Sequence, residues 1–557
     1  MTHPFLRIRI TAAAFLLITG SAAPSAVAAQ HAHGHQAATM PATADVVPLR
    51  NDLGRLTRRI VTRDARAQRY FDQGLRWYYA FNHAESVRSF REAQRLDPSC
   101  AMCTWGEALA LGPNMNAPMS PEAEVQAIAA TRRGIALSAR AESATEGALL
   151  SALALRYYEG PVTTRAGRDS AYASAMRSIA EARPRDPDVL ALAAEARMDL
   201  SPWTYWTKDG SARTGTPELL AWLQRAMAVT PDHPGACHFY IHAVEAAHPE
   251  RAVACAERLA ALMPGAGHIV HMPAHIYIRV GRWADAITAN KHAVHADEQY
   301  FDGPHTPDAL FYAAAYQSHN HHFLTLAAGM AGASALAIES GAAVTRIVSP
   351  DIARAVPVLQ PMLAVPVQAL VTFGKWDAVL AMPLPAADLR ITTAHFWYAR
   401  GVAFAATGRT LEARATVDSI TAVLTMLPAG DARATLEIAA LAVRGEIELR
   451  GGHAADAVTL FQQAVRIEDQ FSYMEPPTWY YPMRHSLGKA LLAAGNAREA
   501  EQVYRADLQR FPENGWSLKG LQLALTAQGR ARDADAVARR FEVAWRKADV
   551  TITSSRF

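Results

Sequence analysis

A spacing that recurs along the chain limits its fold more than any other feature. Gly74 precedes Phe90 by 16 residues and Phe90 precedes Pro98 by 8; Gly488, Tyr504 and Pro512 repeat both intervals. Gly401, Gly408 and Ala413 follow one another at 7 and 5 residues, as do Ala274, Gly281 and Ala286, and Gly488, Gly495 and Ala500. Small residues, an aromatic, a turn glycine and a proline thus return in one order within units of about 34 residues, the signature of stacked helical hairpins. The small positions let two helices approach closely, and the large ones fill the space between hairpins.

This pattern resembles the tetratricopeptide repeat. Trp397 and Phe404, Tyr277 and Ala293, Ala93 and Leu487 fall on its remaining large and small positions. The fold expected is therefore all-α, a superhelical solenoid of tetratricopeptide-type hairpins in one or two arrays. An N-terminal array is expected over 61–345 and a C-terminal array over 390–548, with a tail at 549–557. Between them 346–389 reads as a junction, because Pro350, Pro357, Pro361, Pro366, Pro383 and Pro385 interrupt the helical period.

Half of the 557 residues are apolar, enough for a large core. Lys and Arg (55) almost balance Asp and Glu (52), which argues against binding nucleic acid by phosphate neutralisation. The phosphate-binding loop, the dinucleotide fingerprint, the serine-nucleophile elbow and the H-E-x-x-H zinc motif are all absent from the sequence.

The N-terminus reads as a targeting segment. Arg7 and Arg9 precede an apolar run over 11–19, followed by small residues up to Ala28 and Ala29. That is the order of a secretory signal peptide over 1–29, cleaved after Ala28 or Ala29. No later stretch is apolar for long enough to span a bilayer. A periplasmic or secreted protein is expected. Residues 30–60 read as a flexible linker carrying His31, His33 and His35. Cleavage after Ala28 would give Ala29-Gln30-His31, a terminal amine, two amides and an imidazole suited to Cu(II) or Ni(II).

Histidine carries the chemical signal. Of 21 histidines, 13 lie between His233 and His322. His238 and His242 are spaced i, i+4, and so are His271 and His275, 33 residues further on. Each pair shares one helix face, and equivalent positions in successive repeats bring the two pairs together. The repeat register puts His268, His271 and His275 on positions that, in the family it resembles, line a concave groove. Glu245, on nearly the same face as His242, would add an oxygen ligand. His292, His295, His319, His321 and His322 are further ligands or partners of ligands. Pro273 either starts a helix or kinks one.

Cys100 and Cys103 form a C-x-x-C at a helix start; in an exported protein a local disulfide is favoured over a redox pair. Thr104 and not His follows Cys103 directly, which argues against c-type haem attachment. Cys237 and Cys255 lie on two arms of one hairpin; with the turn near His248 they stand out of level, which argues against their pairing.

The stretches 98–114, 235–245 and 267–286 resemble a group of exported bacterial tetratricopeptide-repeat proteins. That resemblance implies fold and export and carries over no catalytic residue. Two functions remain. In the first, the groove binds a transition metal (Cu, Zn or Fe) through His238, His242, His271 and His275, as a store, a sensor or a metalloenzyme. In the second, the protein is an interaction scaffold whose groove histidines contact a protein or peptide partner without metal.

Overall fold

The computed structural model describes residues 47–138, 143–157, 164–303 and 309–557. The expected signal peptide and His31, His33 and His35 lie outside them. Among the described residues there is no β-strand beyond isolated bridges; helix follows helix, each packed on the next. The chain is an all-α solenoid of tetratricopeptide-like hairpins.

The first hairpin shows how the sequence sets the packing. Helix Ala65–Tyr79 starts at an Asp64 cap, and His83–Leu96 starts at an Asn82 cap that accepts from the Glu85 amide. Phe90 projects between the first of these helices and Ala101–Ala110. A Cβ on Gly74 would stand 2.8 Å from the Phe90 ring, and one on Gly106 would overlap it. Tyr504 is held in the same way between Gly488 and Gly520. Burying such a ring between bare helix backbones removes it from water without leaving a void.

The stretches expected as two arrays pack on one another. One core runs from Val47 through the N-terminal hairpins and takes in Phe511, Trp516 and Ile552; a second gathers residues from Ala364 to Val537. Trp283 Nε1 donates to the Pro512 carbonyl at 2.8 Å, and Trp516 Nε1 donates to that of Gly329 at 2.9 Å. Gly281, at φ +79°, turns beside Pro512, where a Cβ would meet the carbonyl at 2.9 Å. No other residue fits that turn without strain.

Three segments differ from the sequence reading. Residues 47–60, expected as flexible linker, lie against the N-terminal hairpins: Val47 and Leu53 are buried, and Gly265 N donates to the Asp52 carbonyl at 2.8 Å. Few apolar residues are present there, but those few are anchors. The 346–389 junction folds as short helices, Pro350–Ala355, Val365–Thr372 and Trp376–Ala381, because Pro350 and Pro366 fall at helix starts, where no N–H is needed, and Pro383 and Pro385 follow the last of them. Its Val367, Val371 and Val379 belong to the second core. The 549–557 segment is packed: Ser555 Oγ donates to the His485 carbonyl, and the Arg556 guanidinium lies 3.8 Å over the Tyr481 ring.

Cys237 and Cys255 are disulfide-bonded, with Cα atoms 5.4 Å apart, which corrects the expectation that they stand out of level. The helix Pro234–Val244 ends four residues before His248, and the other arm opens with the 3-10 turn Pro249–Ala252, which rises about 2.0 Å per residue, so the two cysteines come level. Cys100 and Cys103 are bonded as well, so no cysteine is free.

Candidate metal centre

Three successive helical units bring the histidines together. His238 and His242 sit on Pro234–Val244. His268 and His271 lie in Gly267–His271, and His275 lies in Pro273–Arg279. Met272 between the last two keeps right-handed helical angles (φ −51°, ψ −35°), so Pro273 interrupts the hydrogen bonding but not the path. His268 and His271 are therefore helical, and His271 still faces His275. Ser318–Met330 supplies His319.

These side chains are not in an open groove. His238, His242, His268, His271 and His275 are each no more than 2% exposed, which corrects the groove expectation. Phe81 packs on His238 with ring centroids 4.6 Å apart and on His268 at 5.4 Å, and Trp203 meets His242 edge-on at 5.2 Å. Phe323 covers His271 and His275 at 4.7 and 4.6 Å. Phe81 and Trp203 both have positive φ, 57° and 62°. Bulky residues rarely adopt that region, at a cost of about 1–2 kcal/mol each. Both of these backbone outliers hold an aromatic ring over an imidazole.

Hydrogen bonds fix which ring nitrogen each histidine presents. His238 Nδ1 donates to the Tyr79 carbonyl at 2.7 Å, an approach that requires Gly235, where a Cβ would overlap the Tyr79 ring. His271 Nδ1 donates to Asn290 Oδ1 at 2.6 Å, and Asn290 Nδ2 is anchored on the Ala286 carbonyl. His242 Nδ1 donates to Glu245 Oε1 at 3.1 Å. His275 Nδ1 faces Glu245 Oε2 at 2.7 Å and Glu475 Oε2 at 2.9 Å. All four thus turn Nε2 inward. His268 Nε2 lies 3.1 Å from His238 Nε2, and His271 Nε2 lies 2.8 Å from His275 Nε2. His242 Nε2, His268 Nδ1 and His275 Nδ1 are buried with no hydrogen-bond partner, the last meeting its two carboxylates as an ion pair.

The electrostatics match this arrangement. Burial, and then the neighbouring imidazoles, hold His238, His242, His268, His271 and His319 well below the usual histidine range, leaving them neutral. His275 is the exception. Burial opposes its charge, but the carboxylates of Glu245 and Glu475 prevail and raise it to about 10.

The candidate ligand atoms fall into three groups, each within 4.8 Å: His238, His242 and His268; His271, His275 and His319; and His242, Glu245 and His275. His292 and His295, expected as further ligands, are exposed on the opposite face of Trp283–Phe301, with His295 beside Gln299. His322 lines a neighbouring cavity with Tyr480, Tyr481 and Arg556 and joins none of these groups, nor does His321. Spacing did not reveal Tyr79, Phe81, Asn290 or Glu475. Glu475 is 200 residues from His275 in sequence, beside the aromatic stretch 476–481, and no local pattern links the two.

No family model and no curated protein matches the chain. Among solved structures it is similar to a human IFIT1 dimer with m7Gppp-AAAA (14% identity, 88% of this chain and 92% of that one, TM-score 0.32). It is similar also to yeast Tom70 (10%, 86% and 92%, TM-score 0.28) and to the APC/C hetero-tetramer Cut9-Hcn1 (12%, 87% and 95%, TM-score 0.28). Identities and scores this low carry no functional statement. Fold and site together define a class: an all-α repeat protein whose interior holds a histidine cluster with its carboxylate partners.

Proposed function

We propose that this is an exported metalloprotein whose buried histidines hold a transition metal. The observation that carries the reading is the pair of short contacts, 3.1 and 2.8 Å, between inward-facing Nε2 atoms. Two imidazoles bound to one ion at 2.0–2.1 Å stand about 2.9 Å apart at right angles and about 3.3 Å apart in a tetrahedron. Without an ion, His242 Nε2 is left orphaned in a dry interior, an arrangement that costs stability. Glu245 and Glu475 supply buried negative charge beside the cluster, as a cation requires. Outer partners on the far ring nitrogen are the usual accompaniment of ligating histidines.

Burial speaks against these histidines contacting a peptide, although the repeat array itself offers surfaces suited to protein partners. Export is supported by the pairing of all four cysteines, which belongs to an oxidising compartment. N-terminal sequencing of the mature protein tests it, with a start at Ala29 or Gln30 expected.

Elemental analysis of untagged protein, beside His271→Ala/His275→Ala and a form lacking residues 30–40, tests the metal. Metal in the first, depleted in the double variant and kept without the N-terminal histidines, is expected. No metal in any sample, even after reloading, overturns the reading.

A further inference from the structure

We infer that the cluster is a two-ion centre, with one ion held by His238, His242 and His268, the second by His271, His275 and His319, and Glu245 as the carboxylate joining them. This deepens the proposed metal reading and rests on it.

The two trios are built alike. Each combines an i, i+4 pair on one helical unit with a third histidine from the next: His238 and His242 with His268, His271 and His275 with His319. Each has one pair of ring nitrogens in close contact, and each is covered by one phenylalanine, Phe81 or Phe323. Each also has one histidine tied through Nδ1 to a fixed oxygen, the Tyr79 carbonyl or Asn290 Oδ1.

The rival arrangement, one ion shared by His242, Glu245 and His275, uses the other face of two rings. Glu245 Oε1 takes the Nδ1 of His242, and Oε2 lies 2.7 Å from that of His275 as its ion-pair partner. A carboxylate that faces two Nδ1 atoms, hydrogen-bonded to one and ion-paired with the other, leaves both Nε2 atoms free for separate ions. Its charge then strengthens both imidazoles as donors, which is how an outer carboxylate acts on a histidine ligand. His271 and His238 also belong to different trios, and a single ion at Glu245 would leave their Nε2 contacts unexplained.

Three imidazoles and no thiolate suit zinc or copper, and three protein ligands leave a position on each ion for water or a small substrate. The cavity lined by His322, Gln368, Tyr480 and Arg556 adjoins the second trio, since His322 lies one helical turn beyond His319.

Stoichiometry tests the division. Metal-stripped full-length protein is titrated with Zn(II) and, for a visible spectrum, Co(II), and bound ions are counted by native mass spectrometry. Two ions per chain are expected, with one remaining in His268→Ala and one remaining in His319→Ala, the two single-ion cobalt spectra summing to that of the unaltered protein. Circular dichroism verifies that each variant is folded, and His319→Asn replaces His319→Ala if that variant is not. One ion per chain, weakened by both variants, overturns the two-ion centre and keeps the metal reading. No ion in folded protein overturns both.

Discussion

Glu245 and His275 are both buried, and a Glu245 oxygen lies 2.7 Å from His275 Nδ1 while the other oxygen takes His242 Nδ1 at 3.1 Å. One carboxylate therefore orients two histidines from successive repeats. Glu245→Gln keeps the shape but loses the charge and one acceptor. It should weaken Zn(II) binding by about 10–100-fold in a competition titration, with the helical spectrum unchanged. An unaltered affinity would mean that Glu245 does not act on the ligands.

Phe81 offers an inverted ranking. In most core positions glycine is worse than alanine, by about 0.5–1 kcal/mol in regular structure. At φ 57° the alanine backbone stays strained and the glycine backbone does not. Phe81→Ala should cost about 3 kcal/mol in denaturant unfolding through the cavity it leaves, and Phe81→Gly should cost less. A glycine variant less stable than the alanine one would show that the strain is not real.

The Cys237–Cys255 disulfide closes a separation of 18 residues next to the cluster. Cys237→Ser/Cys255→Ser should lose about 3 kcal/mol of stability, the entropy of a loop of that size. Its metal content should not change, because neither sulfur belongs to a ligand group. Loss of metal in the folded variant would contradict the all-histidine ligand set.

The contribution of two buried carboxyls to stability should fall as pH rises towards neutrality, against the rise that the neutral buried histidines give. Burial, only partly offset by Arg510 and the Met483 amide, raises Glu468 to about 7, and burial also raises Asp297 to about 7. Between the ordinary carboxyl range and pH 7 the folded chain holds protons that the unfolded chain releases, so the contribution is complete below the unfolded value and lost through pH 7. Glu468→Gln should make the slope of stability against pH more positive in unfolding curves from pH 5 to 8. An unchanged slope would remove Glu468 as a contributor.

The repeat was legible because its physics is local. Gly74 and Phe90 are partners across one hairpin, and their interval of 16 residues is fixed by helix length, so spacing alone exposes it. The i, i+4 histidine pairs were legible for the same reason. Their burial was not, because Phe81, Trp203 and Glu475 reach the cluster from loops whose positions depend on how distant hairpins stack. His292 and His295 misled because composition counts histidines without their helical phase: Trp283–Phe301 turns Asn290 inward and both histidines outward. The Cys237–Cys255 bond was missed because the first helix stops at Val244 and the second arm opens with a steeper 3-10 turn, neither of which an even helical rise on both arms anticipates.

X-ray absorption at the metal edge of folded, zinc-loaded protein tests the central claim most directly. Buried imidazole ligation predicts a first shell of nitrogen and oxygen only, at about 2.0–2.1 Å, with the outer-shell scattering of about three imidazoles per ion. A sulfur shell near 2.3 Å, or a first shell of water without imidazole scattering, would contradict it.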